Sequence, residues 1–566
     1  MGKIDGGEVV VRAMRAHGIE TMFTISDIGQ SPMLRSAEQA NMRLVSPRHE
    51  SAGVHMADAW ARARGGLAAV AGAAGPGVAN MVPGLICASV EGVPLLAIGT
   101  QRVRRSLEAY RHGRFQYSPQ LDVVRPVTKF AARVEHAARL PEFVAEAVRQ
   151  AVSGRPGPAF LEIPVDVLLE EVDENELAIG DPARLIAAPG APDGQSIADA
   201  ARLLRDATFP VILAGQGVHR SDAAPALRNL AEHIGALVMT TAPARGAFPE
   251  SHPQSIGMAF PWGTPAHLES DVVLAVGTQL GESTQYLQEP GWAGPATQRV
   301  IHLDADPLQI GVNREVDVAL VGDAAAGLSA LAAELADEPA RSPCEAAATY
   351  AAEFHAFRIA MFDSYAEIDT SPVHPGRLAT EVARALPENA VVCIDGGNTG
   401  LWAHLAFSYD DPRSLLWTGH LGHLGTGLPY AIGAKIAAPE RPVVLFSGDG
   451  AFGFNLQELE TAAREGLAVV AVINCDYAWG MEELYMQKVA GTTVNVKQSE
   501  VRYDQVAEAL GGHGELVDAP ADIAPAIERA LAARGPTVIQ VVVDDRENVH
   551  PPGLDEFHAI YAAEHT

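Results

Sequence analysis

Two aspartates follow two apolar runs late in the chain, where their carboxylates could share one ligand. Asp449 lies in the turn GDG (448–450) after the run PVVLF, and Asp476 comes shortly after the run AVVAVI. A helical stretch separates the runs, which predicts two parallel strands whose carboxyl ends meet at one sheet edge, the usual place for ligands in open α/β folds. Two carboxylates there suit a hard cation such as Mg²⁺, and turn amides suit a phosphate. The stretch 447–481 therefore predicts a magnesium and phosphate site.

This stretch resembles the diphosphate-binding motif of thiamine diphosphate (ThDP) enzymes, in which GDG is followed by a paired Asn after the next strand. The resemblance implies that Asp449, Asp476 and the main-chain carbonyl of Ala478 are metal ligands. The family usually has Asn where this chain has Asp476, a departure that keeps an oxygen ligand. The cofactor contacts implied in this stretch are Gly448, Asp449, Gly450, Ala451 and Asp476.

Composition restricts the classes of protein that fit. The chain has 566 residues, 48% hydrophobic and 20% charged, and a formal net charge of −29, which argues against nucleic-acid or anionic-membrane binding. Four cysteines without metal-like spacing indicate a reducing, intracellular setting, and the N-terminus lacks an apolar signal-peptide core, so we expect a cytoplasmic protein. Residues 66–99 are mostly apolar and Glu91 is their only charged residue, but prolines interrupt the run, which favours strand–helix–strand in a buried sheet over a membrane span.

Strand-like runs alternate with helical stretches along most of the chain, as in doubly wound parallel sheets. We therefore predict an α/β protein with three such domains of the ThDP-binding fold at 1–170, 190–336 and 370–548, followed by a tail at 549–566. Polar stretches rich in Pro and Gly at 171–196 and near 336–346 are typical of linkers. The middle domain resembles the family's central domain, which binds FAD or ADP in some members, but its sequence contains no specific nucleotide signal.

The segment RLVSPRHESAGVHMADAWARA (43–63) resembles the family segment that carries the activating glutamate. The match implies that Glu50 is catalytic: its carboxyl bonds the cofactor's pyrimidine ring and promotes loss of the proton at the thiazolium C2 carbon. Taken alone, Glu50 would be better explained as an acidic residue at a helix start.

Two loops after the second linker complete the implied cofactor contacts. Gly397, Asn398 and Thr399 match the family's loop end that contacts the diphosphate. In LGHLG (421–425), Gly422 would offer a carbonyl to the aminopyrimidine and Leu424 would be the bulky residue that bends the cofactor. The nearby His420 and His423 have no counterpart in the family, and we interpret them as packing or hydrogen-bonding residues.

Five arginines cluster at 102–114, and two of them, Arg104 and Arg111, are candidates for binding a phosphate-bearing substrate such as an acyl-CoA. A solvated helix face is an equally good explanation of the cluster. Phe115 and Gln116 match a pair that lines the substrate cavity of acetolactate-synthase-like enzymes.

Glu482 stands where ThDP-dependent pyruvate decarboxylases carry a catalytic glutamate that helps to protonate the product-side intermediate; the alternative is a helix-start charge. The C-terminal tail, with Phe557 and Tyr561, resembles the lids of oxalyl-CoA decarboxylases and 2-hydroxyacyl-CoA lyases, although a disordered end is the commoner state of a terminus.

These features identify the chain as similar to the acetolactate synthase, 2-hydroxyacyl-CoA lyase and oxalyl-CoA decarboxylase superfamily, with ThDP and Mg²⁺ as cofactors. The resemblance implies a homodimer or homotetramer, because Glu50 of one subunit meets the diphosphate site of another. Our leading hypothesis is a 2-hydroxyacyl-CoA lyase that yields formyl-CoA and an aldehyde or ketone. The alternatives are an acetolactate-synthase-like carboligase, a 2-oxo acid decarboxylase acting on pyruvate, and a non-catalytic ThDP-binding homologue.

Overall fold

The computed structural model describes residues 2–108, 112–187, 190–259, 264–545, 550–556 and 559. The chain forms two compact units. The first unit comprises Met1–Ala188, Thr418–Glu440 and Asn455–Leu467, and the second comprises Pro189–Trp417, Arg441–Phe454 and Ala468–Thr566. Two segments distant in sequence therefore join the N-terminal part of the chain.

The strands, in chain order, are β1 (Lys3–Asp5), β2 (Thr21–Thr24), β3 (Arg43–Val45), β4 (Ala68–Gly72), β5 (Leu95–Gln101), β6 (Phe130–Arg133), β7 (Pro158–Pro164), β8 (Glu171–Asp173), β9 (Pro210–Ala214), β10 (Leu237–Thr240), β11 (Ser255–Met258), β12 (Val272–Val276), β13 (Arg299–Asp304), β14 (Val318–Val321), β15 (Val391–Asp395), β16 (Leu415–Leu416), β17 (Val443–Gly448), β18 (Val470–Cys475), β19 (His513–Val517) and β20 (Thr537–Val542).

The α-helices, in chain order, are α1 (Gly6–Ala16), α2 (Ser31–Gln39), α3 (Glu50–Arg64), α4 (Pro76–Val90), α5 (Arg104–Glu108), α6 (Gln120–Val124), α7 (Leu140–Val152), α8 (Val165–Leu168), α9 (Pro182–Leu185), α10 (Gly194–Asp206), α11 (Gly217–Arg220), α12 (Ala224–Ile234), α13 (Ala266–Glu269), α14 (Ala324–Glu334), α15 (Glu345–Ala366), α16 (Pro375–Ala385), α17 (Asn398–Ala406), α18 (Gly427–Ala437), α19 (Asp449–Phe452), α20 (Glu458–Arg464), α21 (Gly480–Ala490), α22 (Tyr503–Ala509) and α23 (Ile523–Ala532).

The first unit contains a parallel sheet of order β3-β2-β4-β5-β7-β6. Every residue of β4, β5 and β7 is buried, as expected of strands covered by helices on both faces. The predicted strand–helix–strand over 66–99 is confirmed as β4, α4 and β5. Part of the predicted linker at 171–196 belongs to this unit, because β8 pairs with β1 in an antiparallel ribbon.

Helix α3 carries the proposed catalytic glutamate at its first residue. Its N-cap is His49, whose Nδ1 accepts a hydrogen bond from the Ser51 N–H at 3.2 Å, and the helix ends at Gly65 in the left-handed conformation (φ 76°). Helix α18 packs against α3. The contact is close because Gly433 has no side chain: a Cβ there would lie 2.2 Å from the carbonyl oxygen of Met56. The middle of α3 is therefore packed closely against α18 in the interior of the first unit.

The second unit contains two parallel sheets, of order β11-β10-β9-β12-β13-β14 and β16-β15-β17-β18-β20-β19. Adjacent central strands β17 and β18 pair in register, with Ser447 opposite Ile473 and Gly448 opposite Asn474. This register brings the carboxyl ends of the two strands together, as the sequence predicts. The three six-stranded parallel sheets confirm the predicted α/β class. Within the described part of the chain, no helix has the length and apolarity needed to cross a membrane.

Candidate functional site

The two aspartates predicted to share a cation lie at the carboxyl edge of the C-terminal sheet. Asp449 is 2% exposed and begins α19 after β17, whereas Asp476 follows β18. Burial and the charge of Asp476 raise the pKa of Asp449, and burial raises the pKa of Asp476. Two buried carboxylates that resist ionisation together are a donor set that a divalent cation would satisfy.

The loop after Asp476 holds both carboxylates in place. The Tyr477 N–H donates to Asp449 Oδ2 at 2.8 Å, and the Ala478 N–H donates to Asp476 Oδ1 at 3.1 Å. Tyr477 is in the left-handed region (φ 52°), which turns the chain sharply between Asp476 and the buried Ala478. Gly480 leaves room for the carboxylate, because a Cβ there would lie 2.3 Å from Asp476 Oδ2 and the Asp476 side chain would have to shift. The role of the Ala478 carbonyl as a metal ligand stays a prediction.

Two asparagines at the same sheet edge each have a buried side-chain oxygen without a hydrogen-bond partner among the described residues. Asn474 donates from Nδ2 to Thr399 Oγ1 at 3.1 Å, but its buried Oδ1 has no hydrogen-bond partner among the described residues. The same holds for the buried Oδ1 of Asn398, at the start of α17. Gly448 packs against Thr399, with a hypothetical Cβ 3.1 Å from its Oγ1. Orphaned buried oxygens are costly, so this region fits a ligand or ions that would complete its hydrogen bonding.

The proposed catalytic Glu50 lies in the first unit, half-buried at the start of α3. Its Oε2 accepts a hydrogen bond from Asn80 Nδ2 at 2.9 Å, and a Cβ on Gly77 would lie 3.2 Å from its Oε1. The carboxyl is therefore oriented by helix α4, through a residue that sequence reasoning did not identify.

The loop with Gly422 and Leu424 is tied to a buried glutamate that we did not assign from sequence. Glu91, 3% exposed, accepts at Oε1 from the N–H groups of His420 (2.8 Å) and Leu421 (3.2 Å), and its Oε2 lies 3.1 Å from His420 Nδ1. Burial opposes ionisation, yet hydrogen bonds from His420 and the charge of Arg62 leave the pKa of Glu91 below its ordinary value. The lone acidic residue in an apolar stretch was the available signal.

His420 and His423 make the local hydrogen bonds expected of them. His423 Nδ1 lies 2.7 Å from the carbonyl oxygen of Leu424, and the carbonyl oxygen of His423 accepts from Thr418 Oγ1 at 3.2 Å. Gly422 is in the left-handed region (φ 63°). The loop that contains Gly422 and Leu424 is therefore held by hydrogen bonds to residues of its own unit.

The arginine predicted to bind a phosphate is already occupied. Arg104 donates from Nε to Asp166 Oδ2 at 2.8 Å and from Nη2 to Glu170 Oε2 at 3.0 Å. Hydrogen bonding to Asp166 raises its pKa. Because two carboxylates balance this guanidinium, it offers less to a substrate phosphate than an unpaired arginine would. Its assignment to substrate stays a prediction, and Arg111 lies outside the described residues.

The other predicted substrate and catalytic residues are at the surface of their units. Phe115 is 75% exposed, and the backbone of Gln116 lies against Gly75, where a Cβ would be 2.8 Å from the Gln116 carbonyl oxygen. Glu482 is exposed in the first turn of α21, next to Glu483, which receives a hydrogen bond from Lys497 at 2.9 Å.

The described start of the C-terminal tail rests on the helix that follows the carboxylate loop. Lys488 of α21 donates to Asp555 at 2.5 Å, and Leu554 is 6% exposed. Phe557 and Tyr561, on which the lid prediction depends, lie outside the described residues. The lid therefore stays a prediction.

The chain is similar to known proteins along most of its length. Residues 4–123, 197–331 and 395–541 match the families described as thiamine pyrophosphate enzyme N-terminal TPP binding domain, central domain and C-terminal TPP binding domain. The chain is 33% identical to an acetolactate synthase large subunit of Mycobacterium tuberculosis, over 95% of each chain. It is 31% identical to a sulfoacetaldehyde acetyltransferase of Castellaniella defragrans (94% of this chain, 92% of the relative) and to a probable acetolactate synthase large subunit of Methanocaldococcus jannaschii (97% and 94%).

Proposed function

The chain belongs to the thiamine pyrophosphate enzyme family, and from this premise we propose that it is a Mg²⁺-dependent enzyme that forms or breaks a carbon–carbon bond beside a carbonyl group. Bound ThDP would supply the electron sink for that bond change. Asp449, Asp476 and the Ala478 carbonyl would hold Mg²⁺. The amides and side chains around Gly397–Thr399 and Gly448–Ala451 would hold the diphosphate.

In the first unit, the chain's own contribution is orientation and proton handling. Asn80 orients the Glu50 carboxyl, which would exchange a proton with the pyrimidine ring at its Oε atoms. Glu91 supports the loop in which the Gly422 carbonyl and the Leu424 side chain would contact the same ring. We further propose a homodimer in which Glu50 of one copy serves the diphosphate site of the other.

For the reaction, we favour acyl transfer from a 2-oxo acid such as pyruvate, as the names of the acetolactate synthase relatives suggest. The observation that carries this choice is the pairing of Arg104 with Asp166 and Glu170, which weakens the case for a CoA phosphate. In this reaction two pyruvate ions and a proton would give acetolactate and CO₂.

A second candidate, 2-hydroxyacyl-CoA lyase, retains support from Glu482. That carboxyl is solvent-exposed at the start of α21, in the segment that follows Asp476, where it could deliver a proton to product. The exposed Arg102 and Arg105 also remain available for a phosphate group, since the structure buries neither.

Product analysis tests the two candidates. Purified enzyme with Mg²⁺ and ThDP is offered pyruvate alone, pyruvate with sulfoacetaldehyde and phosphate, or a short 2-hydroxyacyl-CoA, with the Glu50→Gln variant as control. Acetolactate and CO₂ from pyruvate, absent in the control, would support the first candidate. Formyl-CoA from the thioester would replace it with the second. No product from any substrate would contradict both and favour a non-catalytic homologue.

A further inference from the structure

We propose that Glu458 is a positioning residue for Glu50: its buried carboxylate holds the two residues before Glu50 and so determines where helix α3 begins. This inference rests on the proposed role of Glu50, and it adds a residue from a segment far away in sequence. Glu458 begins α20, in the segment 455–467 that belongs to the first unit.

The carboxylate of Glu458 binds the backbone of the turn that precedes Glu50. Its Oε1 accepts the N–H of Arg48 at 3.0 Å and that of His49 at 3.2 Å, and its Oε2 lies 3.1 Å from the same Arg48 nitrogen. The hydroxyl of Thr461 donates to Oε2 at 2.7 Å. Both oxygens are thus used, and the backbone contacts are to the two residues immediately before Glu50.

Glu458 lies in the interior of the first unit, where its side chain cannot serve simply to keep the surface polar. Its exposed fraction and that of Thr461 are both 0%. Burial raises the pKa of Glu458 to about 7, partly offset by the Thr461 hydroxyl and the two backbone N–H groups. A buried carboxyl is costly unless it is hydrogen-bonded, so an apolar residue would serve better if packing were the only requirement.

The Glu458 contacts act on the first turn of α3 together with the N-cap. His49 caps the helix through its ring, which accepts from the Ser51 N–H, while its own N–H is held by Glu458. The residues on both sides of the Glu50 backbone are therefore fixed. Asn80 then fixes the Glu50 carboxyl itself at 2.9 Å. Loss of Glu458 would leave the part-buried N–H groups of Arg48 and His49 without their carboxylate acceptor and would free the turn to change conformation.

The test compares Glu458→Ala with Glu458→Gln in the full-length protein, with and without Mg²⁺ and ThDP. A Gln can keep its amide oxygen at the Oε1 position and its nitrogen beside the Thr461 hydroxyl, so it preserves the backbone contacts without the charge. The first readout, hydrogen exchange at the amides of Arg48 and His49, requires no activity. We expect exchange to be about 10- to 100-fold faster in the Ala variant and close to wild type in the Gln variant.

The second readout is the steady-state kinetics, measured with whichever substrate gives product in the product analysis. We expect Glu458→Ala to lower kcat by about tenfold or more, with KM changed much less, because substrate contacts remain while Glu50 is misplaced. The Gln variant should recover most of kcat. Glu460→Ala is the matched control on the same helix: Glu460 pairs with Arg464 and lies near the Arg48 side chain, but it does not bind the Arg48 backbone.

Two outcomes would overturn the proposal: wild-type amide exchange in Glu458→Ala, or equal loss of kcat in the Ala, Gln and Glu460→Ala variants. If Glu458→Ala does not fold, Thr461→Val provides a milder version, for which the proposal requires a smaller acceleration of the same two amides. Full activity of Glu50→Gln would instead contradict the proposed function, and the amide exchange would still report on the Glu458 contact.

Discussion

The candidate cofactor-binding residues form two sets, one half in the first unit and one half in the second, and each set handles its buried polar groups differently. In the first unit, the carboxylates of Glu91 and Glu458 each accept backbone N–H groups from a functional loop, and Glu50 is bonded to Asn80. In the second unit, Asp449 and Asp476 face each other's charge, and the Oδ1 atoms of two asparagines have no partner within the described ranges. One half is satisfied by the protein, and the other is not.

We infer from this difference that the half in the first unit is preorganised, whereas the half in the second unit would be completed by ligands. Hydrogen-bonded loops keep the groups that act on a substrate or cofactor ring in one geometry, which favours catalysis. Repelling carboxylates and oxygens without a donor are costly, and a bound cation or hydrogen-bond donor would relieve that cost. The predictions below change one half at a time.

Replacing Glu50 should give the largest effect on activity. Glu50→Gln keeps the size of the side chain and a contact with Asn80 but removes the exchangeable acid, so we expect kcat to fall by about 10²- to 10⁴-fold. Binding of ThDP, followed by fluorescence titration, should change little. Turnover equal to wild type would show that Glu50 is not the activating residue.

Replacing Asp449 should weaken the binding of Mg²⁺ and ThDP, whereas replacing Glu50 should lower kcat. Asp449→Asn removes one charge from the pair, so we expect Mg²⁺-dependent ThDP affinity to fall by about 100-fold, measured by calorimetric titration. The metal-free protein should become more stable than wild type, because the repulsion with Asp476 is gone. Asp317→Asn, at an exposed ion pair of the central sheet, is the control. Unchanged Mg²⁺ affinity would refute the metal assignment.

A pair of truncations compares the satisfied and unsatisfied polar groups directly. Glu91→Ala leaves the part-buried amides of His420 and Leu421 without their carboxylate acceptor and should lower stability by about 2 kcal/mol. Asn474→Ala removes one bond to Thr399 and an oxygen that has no partner among the described residues, and should cost less than about 1 kcal/mol. Thermal midpoints in calorimetry rank the two, and the reverse order would contradict the comparison.

The smallest expected effect concerns the acid stability of the first unit. Burial lowers the pKa of His55, on α3, from 6.5 to about 3. Below pH 6.5 the unfolded chain gains a proton that the folded chain refuses, so stability falls as pH falls, by about 1.4 kcal/mol per pH unit well below 6.5. His55→Gln should flatten this slope between pH 6 and about 4.5 in thermal melts, whereas replacement of the exposed His136 should not. Parallel slopes in all three proteins would exclude this cause.

Much of the fold followed from local pattern. Central strands such as β4, β17 and β18 are continuous apolar runs and were predicted, whereas the edge strands β6 and β14 have partly exposed or mixed patterns and gave no clear signal. Asp449 and Asp476 were placed at one sheet edge because parallel strands align their carboxyl ends. The partners of Arg104 could not be predicted, since Asp166 and Glu170 come from a distant segment.

The sequence by itself determined the α/β class, the cofactor motifs and the position of the two metal-binding candidates, because these depend on spacing along strands and turns. Only the tertiary structure decided which partners the charged side chains bind. It paired Arg104 with two carboxylates, placed Glu91 beneath the Leu424 loop, and brought Glu458 to the turn before Glu50. The contacts of Glu91 and Glu458 join segments hundreds of residues apart. The contacts of Arg104 join the segments that follow the neighbouring strands β5 and β7. All of them depend on how the elements pack rather than on any local pattern.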